Sequence, residues 1–306
     1  MKIAVVGLRH LGTVTAACLA KVGHDVVGVD SDKTVVAGLL NGKPPVSEPG
    51  LEELVKEGLT GKHLTFTSDL EALGQAEACW VTYDTHVSDA GVSRPDEVLT
   101  AVLGFLPLIN ENALLLVSSQ LPVGSMKHIE EAMTVNKDPV LKAHMKNSCL
   151  LACLPENLRH GDAIKRFLEP DRIVVGVRDG VTSGLVNQVF SLFAPIPRLE
   201  WMTVEGAEMT KHAINCFLAT EIAFINELQR ICEKLGVDCH DVERGLKTDV
   251  RIGKLAYLKP GGPYTCKTLG RDVGYLRELG GKLLVNLPLL AGVDMSNEER
   301  KNEACR

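Results

Sequence analysis

The sequence lacks the features that mark several classes of protein. It has no run of lysine or arginine and its net charge is -6, which argues against nucleic acid and anionic membrane surfaces as partners. The longest apolar runs, such as residues 113–117, are far too short to span a bilayer. The N-terminus carries a single lysine before an apolar stretch, so we expect no signal peptide.

Cysteine is present but has no pattern. The nine cysteines are scattered, mostly in apolar stretches. An odd, unpatterned number in a chain without an export signal indicates reduced thiols and predicts a cytoplasmic protein. Neither a Cys-x-x-Cys pair nor a His-x-x-x-His pair occurs, so we expect no metal site.

Apolar strands alternate with helical stretches through the first two thirds of the chain. Strand candidates are residues 2–6, 25–30, 78–82, 113–118, 150–153 and 172–176, and the helical stretches 13–22, 51–57, 95–106 and 184–193 lie between them. This alternation predicts an α/β fold with a Rossmann-type, doubly wound parallel sheet that helices cover on both faces.

The pattern changes near residue 200. Apolar residues recur at helical spacing over residues 204–235, and further helical stretches occupy 239–246 and 271–284. We therefore predict two domains, a Rossmann-like domain over residues 1–200 and a mostly helical domain over residues 201–306. The residues from Met295 onward are polar, and we expect them to be frayed.

A glycine loop, Gly7-Leu8-Arg9-His10-Leu11-Gly12, joins the first strand to the first helix. Such a loop binds a dinucleotide because the N–H groups and dipole of the helix attract pyrophosphate. Arg9 stands where the middle glycine is usual, and it either crowds the pyrophosphate or pairs with it. Asp30 closes the second strand and can accept from ribose hydroxyls, which favours NAD over NADP. The alternative is a loop that only turns strand into helix in a nucleotide-free domain.

Four further positions carry side chains suited to binding and oxidising an anionic alcohol. Lys211 and Asn215 lie one helical turn apart, so the lysine can exchange a proton with an alcohol and the asparagine can donate to the same oxygen. Glu156 follows a strand at the end where α/β sheets bind ligands. Arg251 can clamp an anion with two hydrogen bonds. The structural alternatives are a solvated lysine, a core asparagine, a capping glutamate and a surface salt bridge.

Separated motifs occur in order along nearly the whole chain. They occupy residues 1–7, 14–20, 23–30, 48–54, 121–125, 155–161, 207–220 and 251–253. Together they resemble the UDP-glucose/GDP-mannose dehydrogenase family, in which three of them read Glu-Pro-Gly-Leu, Val-Pro-Val-Gly-Thr and Pro-Glu-Phe-Leu-Arg-Glu-Gly. The resemblance implies an NAD-dependent oxidoreductase acting on CH–OH groups, a homodimer formed through the long helix, and a role for Glu156 near the nicotinamide. It also implies that Arg251 reaches the substrate.

Residues 260–272 resemble the cysteine loop of that family, which ends in Cys-Phe-Pro-Lys-Asp. Thr268 takes the slot of the cysteine nucleophile, while Arg271 and Asp272 take the slots of the lysine and the aspartate. Cys266 could substitute only if the loop shifted by two residues, which would move Asp272 out of register. The resemblance implies that Arg271 contacts the cofactor, and that Tyr264, Lys267 and Asp272 contact the substrate.

Two more cofactor positions differ from the family pattern. Residues 83–86 read Tyr-Asp-Thr-His where the family has Val-Gly-Thr-Pro, and Gln120 replaces the threonine of Ser-Thr-Val-Pro-Val-Gly. By their positions, the resemblance implies that Thr85 and Gln120 still contact the cofactor.

The leading functional hypothesis is a single two-electron oxidation of an alcohol, or its reverse, with Lys211 as the proton-transfer residue. The resembling family continues into a third domain that holds much of the nucleotide, so we expect a small anionic substrate. One alternative is the four-electron oxidation of a nucleotide sugar through Cys266 or a partner's domain. Another is a catalytically silent protein that binds a nucleotide or metabolite.

Overall fold

The computed structural model describes residues 1–88, 93–135, 150–156, 158–178, 184, 187, 189, 191–193 and 198–304. Internal contacts divide the chain into two compact units. The first unit comprises Met1–His86 and Arg94–Met209, and the second comprises Val87–Ser93 and Thr210–Arg306.

The described strands of the first unit form one sheet. They are β1 (Lys2–Val6), β2 (Asp25–Val29), β3 (Leu64–Thr67), β4 (Ala78–Val81), β5 (Leu114–Val117), β6 (Leu150–Cys153), β7 (Ile173–Val177) and β8 (Leu199–Thr203). Their order across the sheet is β3-β2-β1-β4-β5-β6-β7-β8. The chain winds from β1 outward in one direction and then from β4 outward in the other, which confirms the doubly wound Rossmann-type fold.

The strand directions differ from the prediction at one place. Neighbouring described strands pair in parallel, except that β6 and β7 are antiparallel and meet at Cys153 and Gly176. The predicted parallel sheet is therefore confirmed apart from this one antiparallel pair. A short apolar strand has the same composition in either direction, so its sequence does not show which way it runs.

Helices cover both faces of the sheet. They are α1 (His10–Val22), α2 (Lys33–Leu40), α3 (Leu51–Thr60), α4 (Pro95–Phe105), α5 (Ser125–Val135) and α6 (Ala163–Leu168), with short 3-10 helices at Leu70–Gln75 and Leu106–Leu108. Ile3 and Val5 of β1 are buried in the core on one face, and Ala4 and Val6 are buried in the core on the other. This alternation follows from the two-residue period of a strand.

The second unit is helical, and its described part from residue 210 to 304 contains no strand. The long helix α7 (Val204–Leu235) begins in the first unit, and α8 (Cys239–Thr248), a π-helical turn (Cys266–Gly270), α9 (Arg271–Lys282) and α10 (Pro288–Ala304) follow. Among the described residues, none of the helices combines the length and apolarity that crossing a bilayer requires.

The predicted fraying from Met295 onward is wrong, because α10 continues to Ala304. Asn297 is buried and explains why this polar segment is ordered. Its Oδ1 accepts from the backbone N–H of Tyr264 at 2.8 Å, and its Nδ2 donates to the carbonyl of Tyr264 at 3.1 Å. The polar residue is thus an internal hydrogen-bond partner.

Candidate active site

Strand β1 and helix α1 approach each other closely at the glycine loop. Gly7 has φ +94, and a Cβ atom there would lie 2.7 Å from the ring of Tyr83. A Cβ atom on Gly12 would lie 1.8 Å from the carbonyl oxygen of Gly7. Both positions therefore require glycine, and the loop holds the N-terminal turn of α1 directly above the end of β1.

The backbone N–H groups in the N-terminal turn of α1 can donate hydrogen bonds to a ligand. Among the described residues, no side chain caps α1, whereas α2 is capped by Asp32, which accepts from the N–H groups of Thr34 and Val35. Arg9 is the residue before α1, and its side chain is 59% exposed and reaches to 4.0 Å from the Asp32 carboxylate. Because Arg9 is turned outward, it leaves this turn open to an anion.

Asp30 is fixed at the end of β2 by backbone donors. Its Oδ2 accepts from the N–H of Leu8 at 2.6 Å, and its Oδ1 accepts from the N–H of Asp32 at 2.9 Å. Burial, with a smaller contribution from the charge of Asp30, raises the pKa of the neighbouring Tyr83 to about 12. Tyr83 is therefore neutral at pH 7, and Asp30 is the acidic side chain beside the glycine loop.

The other predicted cofactor residues follow the next strands of the sheet. Thr85 follows β4 and donates its hydroxyl proton to the carbonyl of Gln120, which follows β5. Glu156 follows β6 and lines a small cavity together with Leu11 of the glycine loop. The structure thus brings these residues to the carboxyl ends of parallel strands, where α/β sheets bind ligands.

These observations fit NAD. The uncapped turn of α1 can hold the pyrophosphate, and Asp30 lies where the adenosine ribose hydroxyls would donate. A phosphate on that ribose would meet the charge of Asp30, which is consistent with NAD rather than NADP.

In the second unit, Asn215 belongs to a buried polar cluster centred on Asp272. The Asp272 side chain is 0% exposed, and Oδ1 lies 2.9 Å from Nδ1 of His212. Asn215 donates from Nδ2 to Oδ2 of Asp272, and Nη2 of Arg271 lies 3.2 Å from the same oxygen. The cluster fixes the amide of Asn215 on α7, one turn from the half-buried Lys211.

Asp272 is ionised in this cluster. Burial by itself would raise the pKa of Asp272, but hydrogen bonds and charges from His212 and Arg271 outweigh it and hold the pKa below its ordinary value. The imidazole of His212 also packs against the ring of Tyr275, with centroids 4.2 Å apart. Sequence reasoning missed His212, although it directly follows Lys211.

The remaining predicted residues of the second unit are exposed, have partners of their own, or have side chains outside the described residues. Thr268 is exposed in the π-helical turn, and the side chains of Cys266 and Lys267 lie outside the described residues. Tyr264 is buried, and its hydroxyl lies 3.5 Å from the carbonyl of Val293. Arg251 is exposed and pairs with Asp249 at 2.7 Å. Their predicted roles in catalysis and substrate binding stay predictions.

Glu208 is another buried acid that the sequence did not single out. It lies on α7, and its carboxylate accepts from the N–H groups of Gly124 at 2.7 Å and Met126 at 2.9 Å. Burial raises the pKa of Glu208 although these two donors lower it. Glu208 therefore anchors the loop before α5 to α7 and has a structural role.

Comparison with known proteins agrees with this geometry. Residues 1–194 match the NAD binding domain of the UDP-glucose/GDP-mannose dehydrogenase family, and residues 205–299 match its central domain. The chain belongs to this family. Membership confirms the predicted resemblance, NAD as the cofactor, and the class of NAD-dependent oxidoreductases acting on CH–OH groups.

Individual members of the family are similar over nearly the whole chain. A UDP-glucose 6-dehydrogenase of Pseudomonas aeruginosa is 31% identical over 98% of this chain and 66% of its own length. One of Bacillus subtilis is 32% identical over 98% of this chain and 67% of its own length. The solved structure of a UDP-glucose dehydrogenase from Pyrobaculum islandicum has a TM-score of 0.85 at 28% identity, covering 97% of this chain and 68% of that one. The chain thus spans about two thirds of these relatives.

Proposed function

We propose that this family member catalyses one NAD-dependent two-electron step, the oxidation of an alcohol on an anionic substrate to an aldehyde or ketone, or the reverse. The observation that carries the proposal is Thr268 in the slot of the cysteine nucleophile. A thiolate can add to an aldehyde and hold it for a second oxidation, whereas a hydroxyl is far less acidic and less nucleophilic.

The described thiols give no replacement for the missing nucleophile. Six cysteines in the described part of the chain are reduced thiols, and all six are buried. Burial raises the pKa of the Cys18 and Cys216 thiols to about 12 and raises the pKa of Cys153 and Cys239. These four thiols are protonated at pH 7, so they cannot form the covalent adduct that a second oxidation requires.

The protein groups would position the alcohol and move its proton. Bound NAD would accept hydride at the nicotinamide. Lys211 would take the proton of the alcohol, and Asn215, held by Asp272, would donate to the same oxygen as charge develops on it. Glu156 would add a polar contact at the end of β6, and Arg251 would clamp the anionic group of the substrate.

The product identifies the reaction. Nucleotide sugars, hydroxy acids and phosphonates should first be screened for thermal stabilisation in the presence of NAD. With the alcohol that is turned over, mass spectrometry should show the carbonyl compound as the end product and no carboxylic acid. Accumulation of the acid would contradict a single step.

A four-electron oxidation is the second candidate, favoured by the 31% and 32% identity to UDP-glucose 6-dehydrogenases. It requires a thiol, and Cys266 is the cysteine nearest in sequence to the nucleophile slot. If the second candidate is correct, Cys266→Ala abolishes acid formation from UDP-glucose while Thr268→Ala retains it. Under our proposal neither variant forms acid, and both retain the oxidation of the alcohol to the carbonyl compound.

NAD binding is tested separately by titrating NAD against the fluorescence of Trp80 and Trp201. We expect saturable binding that Asp30→Ala weakens and that the control Asp69→Ala, which changes a surface acid at a 3-10 helix, leaves unchanged. No binding at millimolar NAD would contradict the proposal and would support a protein that binds a different ligand without turnover.

We also propose a homodimer, formed through α7. Phe217, Phe224, Ile231 and Leu235 are exposed on this helix and recur at intervals of one or two turns, so they form one apolar face. A second copy of the chain can bury this face against itself. Light scattering should show a dimer that Phe224→Asp dissociates and that Leu103→Asp, on α4, does not. A monomeric parent protein would contradict the proposed homodimer. Separately, the cytoplasm stays our predicted location for the protein.

A further inference from the structure

Two histidines and a buried glutamate meet beside the glycine loop, and the proposed reaction uses none of their side chains. His10 is the first residue of α1, Glu48 precedes α3, and His160 lies in the loop between β6 and α6. One ligand atom of each side chain lies within 4.8 Å of the other two. We propose that His10, Glu48 and His160 bind one zinc ion.

The distances match the needs of a small transition-metal ion. Nε2 of His10 lies 2.8 Å from Oε2 of Glu48, and Nδ1 of His160 lies 3.5 Å from the same oxygen. Ligand atoms around a tetrahedral zinc ion lie about 3.3 Å apart, because each bond is about 2.0–2.1 Å long. The two observed separations bracket that value. The imidazole rings are tilted by 53° and do not stack face to face.

Glu48 is already oriented as a ligand. Its side chain is 1% exposed, Oε2 accepts from the N–H of Gly161 at 2.9 Å, and Oε1 accepts from the N–H of Ala163 at 3.0 Å. Hydrogen bonds of this kind fix metal ligands in proteins.

The chemistry of the three side chains favours zinc over calcium or magnesium. Two of the three ligand atoms are imidazole nitrogens, which suit zinc, whereas calcium and magnesium ions prefer oxygen ligands. The side chain of His160 is 66% exposed, so solvent can reach the site and supply a water as the fourth ligand. His160 also stands where the family motif carries glutamate, so this chain has the imidazole that the site needs.

The expectation of no metal site rested on spacing within single segments. The three ligands come from three separate segments, and only the fold of the first unit brings them together. Zinc at this point would join the start of α1 to the loop after β6 and add positive charge beside the turn that attracts pyrophosphate.

Calorimetric titration of Zn²⁺ into the metal-free full chain tests the site without any measurement of activity. We expect saturable binding of one zinc ion per chain. His160→Ala and His10→Ala should each weaken it by at least about tenfold, since changes even outside the ligand shell weaken metal sites by about 10–100-fold. His160 is exposed, so its removal does not threaten the fold.

His63→Ala is the matched control, because His63 pairs with Asp25 at 2.9 Å on the surface of the same unit, with no third metal-binding side chain among the described residues. This variant should bind zinc as the parent does. Absence of saturable binding, or equal affinity in the parent and in both His10→Ala and His160→Ala, would overturn the site. Equal weakening by His63→Ala and His160→Ala would overturn it as well.

Discussion

Two buried carboxylates, Glu48 in the first unit and Asp272 in the second, both contact histidine but are neutralised in different ways. Asp272 is fully enclosed and has a guanidinium, that of Arg271, within 3.2 Å. Glu48 has two backbone amides and two histidines, one of which is open to solvent. The Asp272 cluster therefore contains its own permanent cation, whereas in the Glu48 cluster the proposed zinc ion would supply the positive charge.

The largest effect is expected from Asp272→Ala. This change leaves Arg271 without its buried partner and removes the acceptor for His212 and Asn215, so the free energy of unfolding should fall by about 3–5 kcal/mol. Urea unfolding measures it. The control Asp294→Ala removes a half-exposed ion pair with Arg277 and should cost less than about 1 kcal/mol. Equal losses would show that the buried interactions of Asp272 stabilise the fold no more than a half-exposed ion pair does.

Glu48→Gln should have a smaller effect on stability. Two backbone N–H groups donate hydrogen bonds to the two oxygens of Glu48. Glutamine has only one acceptor oxygen, so one of these N–H groups would face an NH₂ donor. We expect a loss of about 1–3 kcal/mol in urea unfolding. Glu53→Gln, at an exposed position on α3, is the control and should be within about 0.5 kcal/mol of the parent. A loss as large as that for Asp272→Ala would remove the difference between the clusters.

Both carboxylates, Glu48 and Asp272, should contribute to the pH dependence of the free energy of unfolding. Their pKa values are lowered by folding, so each contributes stability above the unfolded-state pKa of about 4, and this stability is lost as pH falls through the lower folded-state pKa. The urea concentration at the midpoint of unfolding should therefore decrease as the pH is lowered from about 5 to about 3. The fall should be shallower in Glu48→Gln and in Asp272→Asn than in Glu53→Gln. Identical pH profiles would contradict the lowered pKa values.

The smallest effect is expected from His160→Ala in the metal-free protein. His160 is exposed and lies 3.5 Å from Glu48. The free energy of unfolding, measured by thermal denaturation, should therefore change by less than about 1 kcal/mol. The buried His212 offers the contrast, because His212→Ala leaves Asp272 with one fewer donor and should cost about 1–3 kcal/mol. A larger loss at position 160 would mean that the Glu48 cluster is structural even without metal.

The sequence predicted the architecture where local composition decides it. Strands such as β1 and β5 read as short apolar runs because they are buried on both faces, and Gly7 and Gly12 mark the turn between β1 and α1. The edge strand β3 (Leu64–Thr67) was missed because it has only four residues, of which two are threonine, and therefore forms no apolar run. The antiparallel β7 and the ordered end of α10 depend on contacts between distant residues, which single segments do not show.

The candidate site divides in the same way. The positions after strand ends, such as Asp30 and Glu156, could be predicted because the topology of a parallel sheet places them together. The partners of Asn215 could not, since Asp272 is 57 residues away and its hydrogen bonds arise only when α9 packs near α7. His160 and His10 are likewise joined by the fold and by no sequence spacing.

The most direct test of a single oxidation is the ratio of NADH formed to alcohol consumed at the end of the reaction. Thr268 in place of a thiol predicts one NADH per alcohol, with the aldehyde or ketone as product. Two NADH per alcohol, with a carboxylic acid as product, would contradict it.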